Sequence, residues 1–315
     1  MKKGIAFPTA ISLNNIICHY APIESEENDP TEVKNGDLVK INVGAHIDGY
    51  AAIAGHTLVV GASQDNKVTG RKADVIIAAH TAAEAVLRSL RPSIENSRAS
   101  EIVGKATVDF NCHPVEGTQC HQMKRMIYDA EKSIIFSPTD EQKKTVEKCT
   151  FDTNDVWNID IMVSTEIYSE IANKFLAYPF NIRALDDIRK ARLGITECVK
   201  HDVIQPLSVY CEKDDELVAQ FRYTVLLMPN GPMKVTGLPF DPSLYKSELK
   251  VKDQDIRELL AQPVKIQSKK RSQNQNLGRK HGIMNPVCNT DLSFAIKAVV
   301  KSNSFSGSIK HMAFK

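Results

Sequence analysis

Residues 38–60, LVKINVGAHIDGYAAIAGHTLVV, alternate apolar and polar side chains, turn at Asp48-Gly49 and alternate again. A period of two residues indicates β-strands, because successive side chains of a strand point to opposite faces. An Asp-Gly pair between two such runs favours a tight turn. The segment therefore predicts a β-hairpin.

Composition places this hairpin in a soluble globular protein. The chain has 315 residues, of which 42% are hydrophobic and 25% charged, enough for one large domain or two smaller ones. Its formal net charge of +2 is nearly neutral, so any affinity for nucleic acid has to come from a local patch. Pro8 interrupts the apolar N-terminal stretch, and the seven scattered cysteines suit reduced thiols; both features predict an intracellular protein.

Helical patterns follow the hairpin. The segment GRKADVIIAAHTAAEAVLRSLRPS, from Gly70, places apolar residues on one face of a helix of about five turns. A second helix is predicted over 99–108. The segment DVWNIDIMVS, residues 155–164, reads as a strand with Ile159 and Ile161 on one side and Asn158 and Asp160 on the other.

Two further blocks complete the pattern. Residues 165–205 predict helices, and LSVYCEKDDELVAQFRYTVLLMP, from residue 207, predicts a hairpin turning at 212–215. The order of hairpin, helices, strand, helices and hairpin indicates an α+β fold with helices packed over a largely antiparallel sheet.

Cysteine-histidine pairs raise two alternative chemistries. Cys112-His113 and Cys120-His121 contain zinc-binding residue types, but no CxxC or HxxxH spacing accompanies them. Cys18-His19 and Cys120-His121 could be thiol nucleophiles with a base, although sequence neighbours seldom reach that geometry. The segment KVTGRKADV lacks the second glycine and the GK[ST] ending of a phosphate loop.

Several long segments carry a family resemblance. They are GIAFPTAISLNNIICHYAP, GDLVKINVGAHIDGYAAIAGHT, VTGRKADVI, DEQKKTVEK and VAQFRYTVLLMPNGPMKVTGLPFDPSLYKSEL. In this order they resemble the proliferation-associated, or ErbB-receptor-binding, protein family, over about residues 4–260. That family resembles type II methionine aminopeptidases, so the resemblance implies their pita-bread (creatinase-like) fold. It also implies truncation at the N-terminus and a segment missing near 164–167.

The resemblance also locates the five metal-ligand positions of the aminopeptidases. They need two Asp, one His and two Glu, because two divalent metals require several hard donors. These positions hold Asn42, Ile53, His121, Asp160 and Arg222. Only the histidine is unchanged, so the resemblance implies a degenerate site without metal or cofactor. His19 matches the substrate-contacting histidine of a vestigial pocket. Buried charges are tolerated only in pairs, which predicts that Arg222 reaches Asp160.

Binding is the function that the resemblance implies. Family members associate with ribosomes, bind structured RNA, move between cytoplasm and nucleolus, and contact receptor tails and transcriptional corepressors. A metal-dependent aminopeptidase with altered ligands is the alternative. We expect an aminopeptidase-like domain over 1–260, with a helical insert at about 165–205, and a basic tail without fixed structure over 261–315.

Two segments are candidate binding surfaces. The tail contains KIQSKKRSQNQNLGRKHG, which has no acidic residue and little apolar content; it is either a phosphate-binding segment or a solubilising linker. Its candidate RNA-binding residues are Lys265, Lys269, Lys270, Arg271, Arg279 and Lys280. The segment IRELL places Ile256, Leu259 and Leu260 on one helical face, either for a protein partner or for docking on the chain's own core.

Overall fold

A largely antiparallel sheet, as predicted, forms the centre of the fold in the described part of the chain. The structure is a computed structural model. It describes residues 1–21, 32–138, 142, 147–165, 209–213 and 215–265. These residues all fall within one compact unit, Met1–Lys265. The predicted helices of the 165–205 block, and the tail after Lys265, lie outside the described residues.

Nine strands form the main sheet, and every pairing in it is antiparallel. The strands are β1 (Lys3–Leu13), β3 (Leu38–Ile47), β4 (Tyr50–Val59), β6 (His113–Pro114), β7 (Gln119–Met123), β8 (Ser133–Ile135), β9 (Val156–Ser164), β11 (Val218–Met228) and β12 (Gly231–Lys234). Their order is β1-β3-β4-β11-β9-β7-β8, with β12 beside β11 and β6 beside β9.

The remaining described elements are short pairs and helices. The pairs are β2 (Ile16–Cys18) with β10 (Tyr210–Cys211), antiparallel, and β5 (Val68–Thr69) with β13 (Tyr245–Lys246), parallel. The helices are α1 (Gly70–Ser89), α2 (Asn96–Val108), α3 (Gln254–Ala261) and a 3-10 turn at Pro242–Leu244. None of the helices in the described part is long and apolar enough to span a membrane.

The hairpin of residues 38–60 is confirmed. Strands β3 and β4 pair without interruption from Leu38 opposite Val59 to Ile47 opposite Tyr50. The two turn residues, Asp48 and Gly49, have φ of 50° and 84°. Positive φ at both central residues is the requirement of the type I′ turn, which explains why Asp-Gly predicts this turn correctly.

Helices α1 and α2 cover one face of the sheet, and the apolar face predicted for α1 is buried. Its fully buried members include Val75, Ile76 and Val86, and they pack with Ile159 and Ile161 of β9 in the main core. Helix α2 begins three residues before the predicted start. The reason is Asn96, whose side-chain amide donates to the carbonyls of Ser133 and Glu147 and so fixes the first turn through distant residues.

The hairpin predicted from residue 207 is wrong. Strand β11 lies in the middle of the sheet between β4 and β9, and it pairs with all nine residues of β9. Both of its edges are therefore occupied, and β10 pairs with β2 instead. The hairpin partner of β11 is β12, which follows it through the Pro229-Asn230 turn.

Candidate functional site

A row of polar positions crosses the sheet on the face opposite to the two helices. Asn42 of β3 pairs with Gly55 of β4, Gly55 pairs with Arg222 of β11, and Arg222 pairs with Asp160 of β9. Directly paired residues project to the same face of a sheet. The hairpin and the two central strands thus bring three of the five predicted ligand positions into one row.

Gly55 gives this row its space. A Cβ atom at Gly55 would lie 2.6 Å from Asn42 Oδ1 and 2.7 Å from Arg222 Cβ. Both distances are shorter than side-chain carbon atoms tolerate. A glycine is therefore needed between the asparagine and the arginine.

Arg222 is buried and bound on several sides. Its Nε donates to Asn158 Oδ1 at 3.0 Å, and its Nη2 donates to the Tyr128 hydroxyl. The guanidinium carbon lies 4.0 Å from the centre of the Phe7 ring, which is cation–π contact. Its Nε also lies 3.5 Å from Asp160 Oδ2, so the predicted ion pair is confirmed. Burial lowers the pKa of Arg222, but Tyr128 and Asp160 more than offset this and raise it overall.

Asp160 is satisfied mainly by an amide. Gln220 Nε2 donates to Asp160 Oδ1 at 2.7 Å, and Gln220 Oε1 accepts from Asn42 Nδ2 at 2.7 Å. Burial raises the pKa of Asp160, while Arg222 and Gln220 oppose the rise. The result is a continuous buried chain of polar groups from Asn42 through Gln220 and Asp160 to Arg222.

The other two predicted positions lie beside this chain. Ile53 is fully buried in an apolar cluster with Phe7, Met123 and Tyr128. His121 lies in β7 opposite Asn158, and burial lowers its pKa, which favours the neutral imidazole. The structure therefore surrounds Ile53, the second predicted ligand position, mainly with apolar side chains.

These residues do not suit a pair of divalent metals. Asp160 and Arg222 together bring −1 + 1 = 0 formal charge, and Ile53 has no donor atom. Asn42 Oδ1 is buried and finds no hydrogen-bond donor among the described residues, but a single neutral oxygen cannot replace several carboxylates. Nor do three or more His, Cys, Asp or Glu side chains gather in the described ranges in a way that could hold a metal ion.

Cys18 and His19 meet, contrary to the expectation for sequence neighbours. Cys18 Sγ lies 3.4 Å from His19 Nδ1, and the backbone of His19 has a positive φ of 64°. Burial, then the charge of Asp160, raise the pKa of Cys18 to about 12. The nucleophile of thiol chemistry is the thiolate, so this buried thiol is not poised for it. The His19 ring lies 6.3 Å from that of Phe7, close to the polar row.

Lys40 is a buried lysine near this row that was not predicted from the sequence. It lies two residues before Asn42 on the same face of β3, it is fully buried, and its Nζ donates to the Asn14 carbonyl at 2.8 Å. Burial lowers its pKa to about 7, against the opposing influence of Cys18 and Cys211. The alternation of side chains along β3 could have predicted this position, since residues two apart in a strand, such as Lys40 and Asn42, point to the same face.

Helix α3 uses its apolar face internally. Ile256 is fully buried, and Leu259 and Leu260 pack against the main core. The candidate partner face is therefore occupied by the chain's own core in this structure, which is the alternative that the sequence left open. Of the candidate RNA-binding residues, Lys265 is exposed, and Lys269, Lys270, Arg271, Arg279 and Lys280 lie outside the described residues.

Comparisons with known proteins agree with this fold. The profile of metallopeptidase family M24 matches residues 1–110. The structure of a thermophilic Arx1 superposes with a TM-score of 0.74 at 25% identity, covering 84% of each chain. Methionine aminopeptidase from Rickettsia prowazekii superposes with a TM-score of 0.51 at 17% identity, covering 72% of each chain. The chain therefore has the pita-bread fold of the aminopeptidases.

Comparison with curated relatives identifies the family of this chain among the proteins with this fold. ERBB-3 binding protein 1 of Solanum tuberosum is 38% identical over 301 residues, which cover 85% of this chain and 75% of that protein. The curved DNA-binding protein of Schizosaccharomyces pombe is 34% identical over 300 residues, covering 85% of this chain and 78% of that protein. The chain belongs to the family of ErbB-receptor-binding, or proliferation-associated, proteins.

Proposed function

We propose that this chain is a non-catalytic, RNA-binding and ribosome-associated regulator of growth and translation that uses an aminopeptidase fold as a scaffold. The observation that carries the proposal is the buried Arg222, which pairs with Asp160 at 3.5 Å in the row of predicted ligand positions. A guanidinium stays charged at any accessible pH and repels a dication. Arg222 therefore disfavours the binding of two divalent metals at the predicted ligand positions.

Loss of catalysis leaves binding as the function. The names of these two relatives refer to binding of ErbB-3 and of curved DNA. The basic segment 265–280 supports a phosphate-binding role here, since it concentrates cations in a nearly neutral chain. Residence in the cytoplasm and nucleolus, and contacts with receptor tails or corepressors, are parts of the same proposal.

A salt titration tests the RNA-binding part. Each phosphate that the protein neutralises contributes about −0.7 to −0.9 to the slope of log affinity against log salt. The test variant carries Gln at five tail positions: Lys269, Lys270, Arg271, Arg279 and Lys280. It is expected to flatten this slope by a few units and to lower the affinity for unrelated RNAs to a similar extent. The matched control replaces five exposed cations of the folded unit with Gln: Lys148, Lys246, Lys250, Lys252 and Arg257. Equal slopes for the parent and the tail variant would reject the tail as the RNA site.

The second candidate function is an aminopeptidase with altered ligands, favoured by the M24 match and the unchanged His121. Metal analysis and a peptide-release assay on the purified chain separate the two. We expect no stoichiometric metal and no release of N-terminal methionine. The variant N42D is also expected to remain inactive, because Ile53 and Arg222 still occupy the second metal position. Turnover by N42D would refute the non-catalytic assignment.

A further inference from the structure

Exposed apolar side chains are concentrated at one end of the sheet. Six of the eleven large hydrophobic residues that are exposed in the described part lie on three segments: 1–5, 47–50 and 124–127. They are Met1, Ile5, Ile47, Tyr50, Met126 and Ile127. We call the surface formed by these three segments the tip platform.

Backbone hydrogen bonds hold the three segments together. Asp48 N–H donates to the Lys2 carbonyl at 2.7 Å, and Met126 N–H donates to the Gly49 carbonyl at 2.8 Å. Lys2 N–H donates to Asp48 Oδ1 at 2.5 Å, and Arg125 Nε donates to the Asp48 carbonyl at 2.9 Å. These bonds join the two tight turns to each other and to Lys2, the residue before β1, so the three segments are held side by side.

The platform combines large apolar groups with cations. Tyr50 and Met126 are each 64% exposed, and the Arg125 guanidinium carbon lies 5.8 Å from the centre of the Tyr50 ring. Its charged residues are the cations Lys2, Lys3, Lys124 and Arg125 and the carboxylate of Asp48. Lys124 pairs with Glu131 at 3.2 Å, and Asp48 accepts from the Lys2 backbone. With both carboxylates counted, the charge is 4 − 2 = +2.

We propose that the tip platform docks a protein segment that carries acidic and large apolar side chains. Tyr, Met and Arg are the residue types that protein interfaces favour at their centres. Acidic side chains of the partner complement the excess positive charge. A nucleic-acid strand fits less well, since bases stack on aromatic rings and the platform is mainly aliphatic. This surface is separate from the basic tail, so it goes beyond the RNA-binding proposal.

The probe is a fluorescein-labelled peptide of twelve residues in which Asp and Glu alternate with Leu and Phe. Its anisotropy is titrated with the full chain. The variant Y50S/M126S is expected to weaken binding about tenfold or more, as loss of central interface residues does. The variant K124Q/R125Q is expected to weaken binding and to reduce its salt dependence. The matched control V108S/V235S changes two exposed valines outside the platform and is expected to bind as the parent does.

Four results would overturn the proposal. The first is that the peptide does not bind at protein concentrations up to about 1 mM. The second is that the platform variants bind it with the same affinity as the parent. The third is that the parent binds equally well a peptide with Lys in place of the acidic residues. The fourth is sedimentation showing a parent dimer that Y50S/M126S converts to a monomer, which would assign the platform to a second copy. The five-Gln tail variant is expected to bind the peptide normally, so failure of the RNA-binding proposal remains distinguishable.

Discussion

The two faces of β9 and β11 are both buried, but different interactions stabilise them. Toward α1 and α2, Ile159, Ile161 and Phe221 pack in an apolar core. On the opposite face, Asp160 and Arg222 are held by ion pairing and by directed hydrogen bonds. An apolar face depends on volume, whereas a buried polar face depends on each group keeping its partner. The two faces therefore differ in which substitutions they tolerate.

The largest effect is expected at the ion pair. D160N preserves shape but leaves the Arg222 charge uncompensated, so we expect a loss of about 3–5 kcal/mol of stability. I161V, the matched change on the apolar face, is expected to cost only about 0.5–1.5 kcal/mol. Urea unfolding with a constant m-value measures both. Equal losses for the two variants would mean that the faces do not differ.

Lys40 offers a test that depends on pH. Its pKa is about 7 in the folded chain, below the ordinary value of 10.5, so the folded state binds fewer protons between these values. Stability that depends on Lys40 is therefore lowest below pH 7 and rises toward pH 10.5. At about 1.4 kcal/mol per pKa unit, K40M is expected to remove a pH dependence of a few kcal/mol.

Urea unfolding of the parent and K40M at pH 7, 8, 9 and 10 measures this difference. The control is K105M, which removes a solvent-exposed ammonium paired with Asp255. A parent-minus-K40M difference that stays constant over this range would show that Lys40 keeps its charge when folded.

The close packing around Gly55 provides a further test of how sensitive the polar face is to substitution. G55A places a methyl group against Asn42 and Arg222, and overpacking of this kind costs about 1–3 kcal/mol. Gly104 is the opposite case, because a Cβ there meets no atom within 4 Å and the residue lies inside α2. G104A is expected to stabilise by up to about 1 kcal/mol. Thermal melts of the two variants should shift in opposite directions.

The smallest effect is expected from one hydroxyl on the apolar face. Tyr223 is buried, and its hydroxyl donates to the Ala83 carbonyl of α1 at 2.8 Å. Y223F keeps the ring volume and removes this bond, which costs about 0.5–1.5 kcal/mol. Y50F, on an exposed ring, serves as the control and should leave the unfolding midpoint unchanged. A loss for Y223F as large as that for D160N would mean that the apolar face also depends on polar partners.

Sequence periodicity predicts the local parts of this fold well. The β3–β4 hairpin, α1 and β9 all agree with the structure, since each follows from alternation or helical spacing within one segment. The pairing of β11 could not be read in the same way, because its partners β4 and β9 lie far away in the sequence. The structure buries both faces of most of β11. In the sequence, however, Gln220, Arg222 and Thr224 alternate with apolar residues, which is the pattern of a strand with one polar face, and this pattern does not identify its neighbours.

Site prediction succeeded for the pair Asp160 and Arg222 and failed for what surrounds it. The pair followed from the rule that buried charges need partners. Phe7 of β1, Gln220 of β11 and Tyr128 of a loop complete the network. Of these, only Gln220 could be predicted locally, since it lies two residues before Arg222 on the same face of the strand. The Cys18–His19 contact was not expected for sequence neighbours, and no sequence pattern specified the positive φ of His19.

The central position of β11 also has a consequence for synthesis of the chain on the ribosome. Thr57 of β4 donates a hydrogen bond to the carbonyl of Gln220 in β11, which is 163 residues later in the chain. At a translation rate of about 5–20 residues per second, synthesis of these residues takes on the order of 10–30 seconds. During that time the edge of the nascent β4 has no strand beside it, and such edges recruit other chains. Arrested nascent chains that end before residue 218 are therefore expected to aggregate or to engage chaperones more than completed ones.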